Sequence, residues 1–335
     1  MSRWCKTAIL RPGRHTITAP LHPNAWSAIR QKLENGKVMG KCVSLEFFVY
    51  SPHDGDTVFI DNIRLLAKKE PTHPPVKTEF AVLGTDLKVS GVQELGKKLA
   101  DKWKEPPATT AADAEAAFRA RFAELRKKHP KAVLAVFRDG EAGFDAANPT
   151  KVFAGWRDAY WSSHGPDGAN TDRANNRGKV GTEEVFMRHR SPLFRVDVAS
   201  IPKGANVLAA EFLLVRAGNP GKEQNARHAN VWVAEACNRP WAEYDVNAYW
   251  YARDKFWKAV GGMDWSGDDP DFLLVYLAHG PGREGCNVWD FTEAVKFWTD
   301  GRHANHGFMM HGDSKDWFRA YYREAEKVKD RPALR

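Results

Sequence analysis

The chain lacks any apolar run of the length that a membrane-spanning helix needs, which is about 20 residues. Its first residues, MSRWCKTAILRPGRH, contain neither an apolar segment nor a small-residue cleavage site of the kind that signal peptides carry. We therefore expect no membrane span. Either the protein is not secreted, or this sequence lacks the true start of a secreted one.

Cysteine is scarce: the 335 residues contain four, and none lies in a CxxC pair or at a zinc-ligand spacing. They are Cys5, Cys42, Cys237 and Cys286. A disulfide between Cys237 and Cys286 is the pairing to test, and two buried thiols are the alternative.

Catalytic fingerprints and basic clusters are also missing. The sequence contains no GxSxG, HExxH, GxGxxG or phosphate-binding loop motif. Residues 1–150 hold 24 Lys and Arg against 17 Asp and Glu, whereas residues 151–335 hold 26 against 25. No single element concentrates the basic excess, so we expect no nucleic-acid partner. Two carboxylates could still meet in space for glycoside hydrolysis, so an enzyme is not excluded.

Tryptophan is abundant, and ten of the 13 lie in residues 151–335. Most are expected to fill a core, because tryptophan is highly buried on average. Two or three could instead be exposed as platforms for sugar rings.

Strand and helix signals divide the chain into four parts. Residues 1–67 carry short strand patterns with Pro-Gly and Asp-Gly turns, typical of part of a β-sandwich. Residues 68–80 are rich in proline and charge and indicate a linker. Residues 81–150 combine two helical patterns with one strand pattern, AVLAVFRDG, and indicate a small α/β connector. Residues 151–335 carry many short strands, typical of an antiparallel sandwich.

One stretch, FTEAVKFWTDGRHANHGFMMHG, interrupts these strands with a short helix. Thr292 is predicted to be its N-cap, and Gly301 the left-handed residue after its end. So short a helix must pack over one end of the sandwich, with Trp298 inserted and Phe308 facing inward.

This stretch resembles the signature of DNRLRE-type domains, grouped with carbohydrate-binding module family 96. The matching residues are Asp290, Phe291, Thr292, Val295, Trp298, Gly301, Asn305, Gly307 and Phe308. Other pieces agree in order: an opening DAYW, a strand region SPLFRVDVASIPKGANVLAAEFLLV, a WxE at Trp241 to Glu243, and a closing RPAL. The piece that reads F-x-S-[RK]-E in the family is WFRAYYREA here.

The resemblance implies a jelly-roll β-sandwich over residues 151–335 that binds glycans, often acidic ones, without catalysis. It implies an extracellular or cell-envelope location. It transfers no binding residues. Asp290, Thr292 and Asn305 suit backbone hydrogen bonding at a helix end, and Trp298 and Phe308 suit a core. We therefore interpret the matching residues as fold residues.

The first 67 residues resemble the last strands of another carbohydrate-binding jelly roll, in LRPGRHTITAPL and VFIDNIRL. In such modules the aspartate of the final strand often helps to hold a structural calcium ion, which places Asp61 as a candidate ligand. A carboxylate that accepts backbone hydrogen bonds is the alternative. No cofactor is required by any other feature.

Aromatic and basic residues are interleaved in one loop region and form the candidate glycan site. They are Tyr249, Trp250, Tyr251, Arg253, Lys255, Trp257, Lys258 and Trp265. Ring stacking with cation contacts suits an acidic polysaccharide, and a helix packed on the sandwich is the alternative. The nearby acidic run, Asp264, Asp268, Asp269 and Asp271, is the best candidate for a catalytic carboxylate pair. It is interpreted as a solvated turn, with a calcium-binding loop as the next alternative. The sequence thus predicts a polysaccharide-binding protein, with a ligand-free structural stalk and a polysaccharide-degrading enzyme as alternatives.

Overall fold

The computed structural model describes residues 79–99, 109–162, 182–186, 190–217, 231–247, 250–253, 255–258, 270–281, 285–312 and 317–335. These residues are mainly β. The strands are β1 (Phe80–Val82), β2 (Lys88–Val89), β3 (Trp156–Ser162), β4 (Thr182–Phe186), β5 (Arg190–Val196), β6 (Glu211–Val215), β7 (Trp232–Cys237), β8 (Trp250–Ala252), β9 (Lys255–Phe256), β10 (Phe272–Gly280), β11 (Cys286–Asp290), β12 (Phe308–Gly312), β13 (Trp317–Tyr321) and β14 (Ala333–Leu334). The helices are α1 (Val92–Leu99), α2 (Ala111–Lys128) and α3 (Thr292–Thr299), with a 3₁₀ turn at Val328–Asp330. None of the described helices is long and apolar enough to cross a membrane.

Two sheets and a hairpin make up the β structure of the described residues. The larger sheet has the strand order β13-β4-β5-β12-β7-β10-β1-β2, and β3 pairs with β5 as well. The smaller sheet has the order β11-β6-β14, and β8 and β9 form the hairpin. All these pairs are antiparallel except β1 with β10. Most pairs join strands that are distant in the chain, as in a β-sandwich.

Aromatic side chains from both sheets fill the core between them. Phe194 on β5 lies 5.3 Å, centroid to centroid, from Phe212 on β6. Trp156 on β3 stacks on Phe212 at 5.9 Å, and Trp289 on β11 does so at 5.6 Å. All four side chains are at most 2% exposed. The sheets therefore face each other as the two layers of a sandwich, which confirms the mainly β fold class for the described residues.

The short helix α3 closes one end of this core, as the sequence predicts. Trp298 and Phe308 are buried, and Gly301 has a positive φ of 79°. The prediction that Thr292 is the N-cap is wrong, because the helix begins at Thr292 itself and Phe291 is the capping residue. The Thr292 hydroxyl instead accepts a hydrogen bond from the backbone N–H of Ala210 at 3.0 Å, and so fixes α3 against β6.

The polar residues of the same stretch satisfy backbone groups. Asp290 Oδ1 accepts from the N–H of Thr292 at 2.9 Å. Asn305 donates to the carbonyl of Val196 at 2.7 Å and accepts from the N–H of Gly307 at 3.1 Å. Gly307 has a φ of 87°, and a Cβ there would lie 2.2 Å from the carbonyl oxygen of Phe194. Only glycine fits so close to β5 in that conformation. These contacts support the interpretation of the matching residues as fold residues.

Residues 79–150 join the sandwich through backbone pairing. The strand β1 pairs with β10, and both predicted helices are present as α1 and α2. The predicted strand AVLAVFRDG is wrong: the segment makes one isolated bridge, between Phe137 and Leu334. That partner belongs to β14, so the segment joins the smaller sheet at a single position.

Cys237 and Cys286 are free thiols buried in two different core clusters. The alternative of two buried thiols therefore holds, and the disulfide hypothesis does not. The partial β-sandwich predicted for residues 1–67, the candidate calcium ligand Asp61, and Cys5 and Cys42 lie outside the described residues.

Candidate functional site

The structure places four of the eight predicted glycan-site residues on the β8–β9 hairpin, and Trp257 and Lys258 directly after it. The half-exposed side chains are Trp250 and Tyr251, and the exposed ones are Arg253, Lys255 and Lys258. Tyr249 and Trp265 lie outside the described residues. The segment is a hairpin, so the alternative of a helix at this position is wrong.

Trp257 packs inside the protein instead of facing solvent. Its side chain is 2% exposed and stacks on Phe272 with ring centroids 5.6 Å apart. Its indole N–H donates to the backbone carbonyl of Asn247 at 2.9 Å. Trp257 therefore fills a small core between the larger sheet and the hairpin, and its ring cannot stack on a sugar in this arrangement.

The interpretation of the acidic run as a solvated turn is wrong for Asp271. This carboxylate is fully buried, accepts from the backbone N–H of Lys258 at 2.7 Å, and lies 2.8 Å from the guanidinium of Arg239. It fixes the end of the hairpin to the start of β10. The guanidinium of Arg239 also lies over the ring of Tyr251, at 5.2 Å from its centroid.

A cluster of four charged residues lies beside the hairpin, and we name it the carboxylate cluster: Asp158, Glu243, Arg323 and Glu324. One oxygen from each of its three carboxylates lies within 4.8 Å of the others. The guanidinium of Arg323 contacts Glu243 at 2.8 Å and Glu324 at 2.7 Å. The backbone N–H of Arg323 donates to Asp158 Oδ2 at 2.8 Å.

The cluster covers the backbone of β3 on the side away from β5. Glu243 accepts from the N–H of Asp158 at 3.1 Å, and Asp139 accepts from the N–H of Trp156 at 2.9 Å. Arg323 donates to the carbonyl of Trp156 at 3.1 Å. These side chains take the place of a neighbouring strand, which is one way in which proteins protect a sheet edge from association.

Burial dominates the electrostatics of the cluster. It raises the pKa of Asp158 well above the usual range, and repulsion from Glu324 and Glu243 adds to the rise. Burial also raises the pKa values of Glu243, Glu324 and Asp139, although nearby arginines and backbone N–H groups offset part of each rise. Burial alone would lower the pKa of Arg323, but the Glu243 and Glu324 carboxylates raise it. Arg323 is therefore the permanent positive charge around which the carboxyl groups are arranged.

The three carboxylates could hold a metal ion only in part. Oxygen ligands suit calcium, but calcium takes six to eight of them, and the cluster supplies three residues. Arg323 already contacts two of the three. A cation would have to displace this guanidinium or share the carboxylates with it.

The cluster also does not present a carboxylate pair to a glycosidic bond. The oxygens are close enough for the retaining mechanism, in which the two carboxyl groups lie about 5 Å apart. However, Asp158 is 1% exposed and Glu243 is 6% exposed, and both are bonded to backbone or arginine. A sugar ring cannot reach between them in this geometry.

An exposed surface lies directly over the cluster, and we name it the Tyr244 surface: Arg157, Tyr244 and Arg253. The Tyr244 side chain is 49% exposed, and its hydroxyl group lies 2.6 Å from Arg323 Nη2. The guanidinium of Arg157 lies 3.6 Å from the Glu243 carboxylate and is 45% exposed. Arg253 contacts Asp245, the next residue along, at 3.3 Å and is 77% exposed. The two chain neighbours of Tyr244, Glu243 and Asp245, thus each pair with an accessible arginine, and the Tyr244 ring itself is fixed by Arg323.

Sequence reasoning did not identify Asp158, Glu243, Arg323 or Glu324 as a set. A signal was present, because the four residues lie in three separate pieces of the family resemblance. Asp158 opens DAYW, Glu243 ends the WxE piece, and Arg323 and Glu324 lie in WFRAYYREA. Nothing in the separate pieces says that they meet, since they are up to 166 positions apart and only the fold joins them.

Comparison with protein-family models finds no family that matches the chain, and no curated protein matches it.

Proposed function

We propose that this protein binds polysaccharide without cleaving it, as a module that targets or anchors an extracellular or cell-envelope protein. The observation that supports this most strongly is the Tyr244 surface. An exposed, oriented ring offers an apolar face to a sugar, and the flanking arginines offer hydrogen-bond donors to its hydroxyl or carboxylate groups.

The orientation of the ring strengthens the argument. The hydroxyl of Tyr244 bonds to Arg323, and Arg323 is in turn held by two carboxylates. A side chain that is fixed before binding loses less conformational entropy on binding. The carboxylate cluster thus holds the ring of Tyr244 in place through Arg323.

The hairpin extends the same surface. The backbone of Ala242 donates to the carbonyl of Tyr251 at 2.7 Å, so β8 lies beside the segment that carries Tyr244. The exposed Lys255 and the half-exposed Trp250 then continue the combination of aromatic and basic groups. The resemblance to carbohydrate-binding module family 96 supports the same proposal, because a β-sandwich with a non-catalytic glycan site is what it implies.

Affinity electrophoresis of the full chain tests the proposal, in gels that contain alginate, pectin, a sulfated glycan, xylan or a cellulose-type polymer, with calcium and with chelator. We expect retardation by at least one polymer without release of product. Tyr244→Ala should lose most of the retardation, whereas Tyr244→Phe, which keeps the ring but loses the hydroxyl that bonds to Arg323, should show intermediate retardation. Val133→Ala, at an exposed apolar position elsewhere, is the matched control.

The outcomes separate the candidate functions. Retardation by no polymer would contradict the proposal and favour a structural stalk whose tryptophans are core residues. Release of reducing or unsaturated ends from any polymer would favour an enzyme. Retardation that is unchanged in Tyr244→Ala would contradict the assignment to this surface.

A further inference from the structure

At the edge of the Tyr244 surface, two arginines occupy directly opposite positions on paired strands. Arg157 on β3 and Arg195 on β5 are register partners, so their side chains leave the same face of the sheet. Like charges in this arrangement repel each other, and the pair is destabilising unless something neutralises it. Glu243 meets Arg157 at 3.6 Å, which leaves the charge of Arg195 to be balanced by another group.

Arg195 lines a cavity of about 450 Å³ at the end of the sandwich. We name this cavity the end pocket; it lies between the end of β5, the following turn and the end of α3. It is lined by Arg195, Val196, Asp197, Val198, Ala199, Ile201, Lys203, Trp298, Thr299, Gly301 and Asn305. The volume falls in the range of small-molecule sites, roughly 300–1,000 Å³.

The charged groups of the pocket favour an anion. Among the described residues, neither Arg195 nor Lys203 makes a side-chain hydrogen bond or an ion pair. The carboxylate of Asp197 is engaged through its Oδ1, which accepts from the N–H of Ala199 at 2.9 Å. At neutral pH the lining therefore carries two unengaged cations against one carboxylate.

The remaining lining suits a sugar ring. Trp298 lines the pocket with a largely buried side chain. Gly301 leaves open space where a side chain would otherwise project, since a Cβ there would meet no atom within 4 Å. Asn305 and Thr299 are already bonded to backbone carbonyls, so they fix the shape of the pocket. An arginine guanidinium matches a planar carboxylate with two parallel hydrogen bonds.

We propose that the end pocket binds the carboxylate group of a uronic-acid residue, with Arg195 as the principal contact and Lys203 as the second. This inference rests on the proposed function for the ligand being a sugar. It adds a second subsite, one strand away from the Tyr244 surface, and the chemical group that this subsite recognises.

Free glucuronate is the probe, with glucose as its neutral counterpart, in saturation-transfer NMR titrations of the full chain. Glucuronate should bind saturably and glucose should not. Arg195→Gln should weaken glucuronate binding at least about tenfold, because a hydrogen-bonded charge is lost. Lys203→Gln should weaken it by less, and it keeps the test informative if the Arg195 variant fails to fold. Arg119→Gln, which removes an equal charge from the exposed face of α2, should bind as the parent does.

The proposal is overturned if glucuronate shows no saturable binding, or if the Arg195 and Lys203 variants bind it as well as the parent. The same variants are then run in the polymer gels. Polymer retardation that is unchanged in Arg195→Gln would overturn the subsite while the proposed function stands. If the parent chain is not retarded by any polymer but binds glucuronate in an Arg195-dependent way, the proposed function is overturned while the subsite stands.

Discussion

At the scale of single residues, the buried carboxyl of Asp158 is the feature with the clearest thermodynamic consequence. Its pKa is raised in the folded protein, first by burial and then by Glu324 and Glu243. An unfolded aspartate ionises near pH 3.9. Above that pH the unfolded state loses this proton, whereas the folded state keeps it up to the raised pKa. Stability from this group is therefore fully present below pH 4 and is lost as the pH rises towards the folded pKa.

Asp158→Asn removes this titration while keeping an oxygen that can accept from the N–H of Arg323. We expect the free energy of unfolding of the variant, relative to the parent, to increase from pH 4 towards neutral pH, at up to about 1.4 kcal/mol per pH unit. Urea titrations across this range, with chelator present, measure the difference. Asp145→Asn, at a partly exposed turn, is the control. A variant that becomes less stable than the parent as the pH rises would show instead that Asp158 is ionised and stabilised by Arg323.

Residue identity predicted the local geometry of some positions and not of others. The positive φ of Gly301 and the inward Trp298 follow from a short amphipathic pattern that ends in glycine. The role of Thr292 could not be read in the same way, because its partner, Ala210, lies 82 positions away. A threonine before a helix is equally compatible with capping and with a tertiary hydrogen bond, and only the packing decides between them.

At the scale of elements, the β8–β9 hairpin shows where a pattern of aromatic and basic residues is ambiguous. The sequence identified the segment but not which ring faces inward. Trp257 follows β9 directly. It is buried beneath the hairpin, where it stacks on Phe272 and donates a hydrogen bond to the carbonyl of Asn247. Trp250 is left half-exposed and contacts Phe256 edge to face at 5.9 Å. The choice between the two tryptophans depends on the shape of the sheet beneath, which the local sequence does not contain.

This packing predicts different effects for two hairpin substitutions. Trp257→Ala should destabilise the protein by about 3–5 kcal/mol, because it empties a packed site. Lys255→Gln should change stability by less than about 0.5 kcal/mol, because its side chain is exposed. Thermal denaturation of both variants provides the comparison, with polymer retardation as the second readout. Parent-like stability of Trp257→Ala would contradict the buried position of the ring.

At the scale of the whole molecule, the segment before residue 151 takes part in the sandwich. Phe80 on β1 stacks on Tyr276 of β10 with ring centroids 4.6 Å apart. The buried side chains of residues 80–99 share a cluster with Val231 and Val233. At the other end, the guanidinium of Arg335 lies over the ring of Phe118 on α2 at 4.3 Å. Composition alone suggested divisions at residues 80 and 150, because long-range pairing leaves no local mark on a sequence.

These contacts predict that residues 151–335 do not fold stably alone. Six apolar side chains of residues 80–99 are buried in the shared cluster: Phe80, Val82, Val89, Val92, Leu95 and Leu99. At about 1.5–3 kcal/mol each, their burial contributes on the order of 10 kcal/mol, before the entropy of ordering the segment is counted. That is comparable with the whole stability of a typical domain, about 5–15 kcal/mol.

The test compares two fragments, residues 79–335 and residues 151–335, by thermal denaturation and by binding of a dye that reports exposed apolar surface. The longer fragment should unfold cooperatively. The shorter one should lose the cooperative transition or undergo it at a much lower temperature, and it should bind the dye, because Val231, Val233 and Tyr276 lose their cover. Equal cooperative transitions in both fragments would show that residues 151–335 are an independent domain. The pairing of β1 with β10 would then not be needed for its stability. In that event the division of the chain at residue 150, drawn from the sequence, would be the correct one.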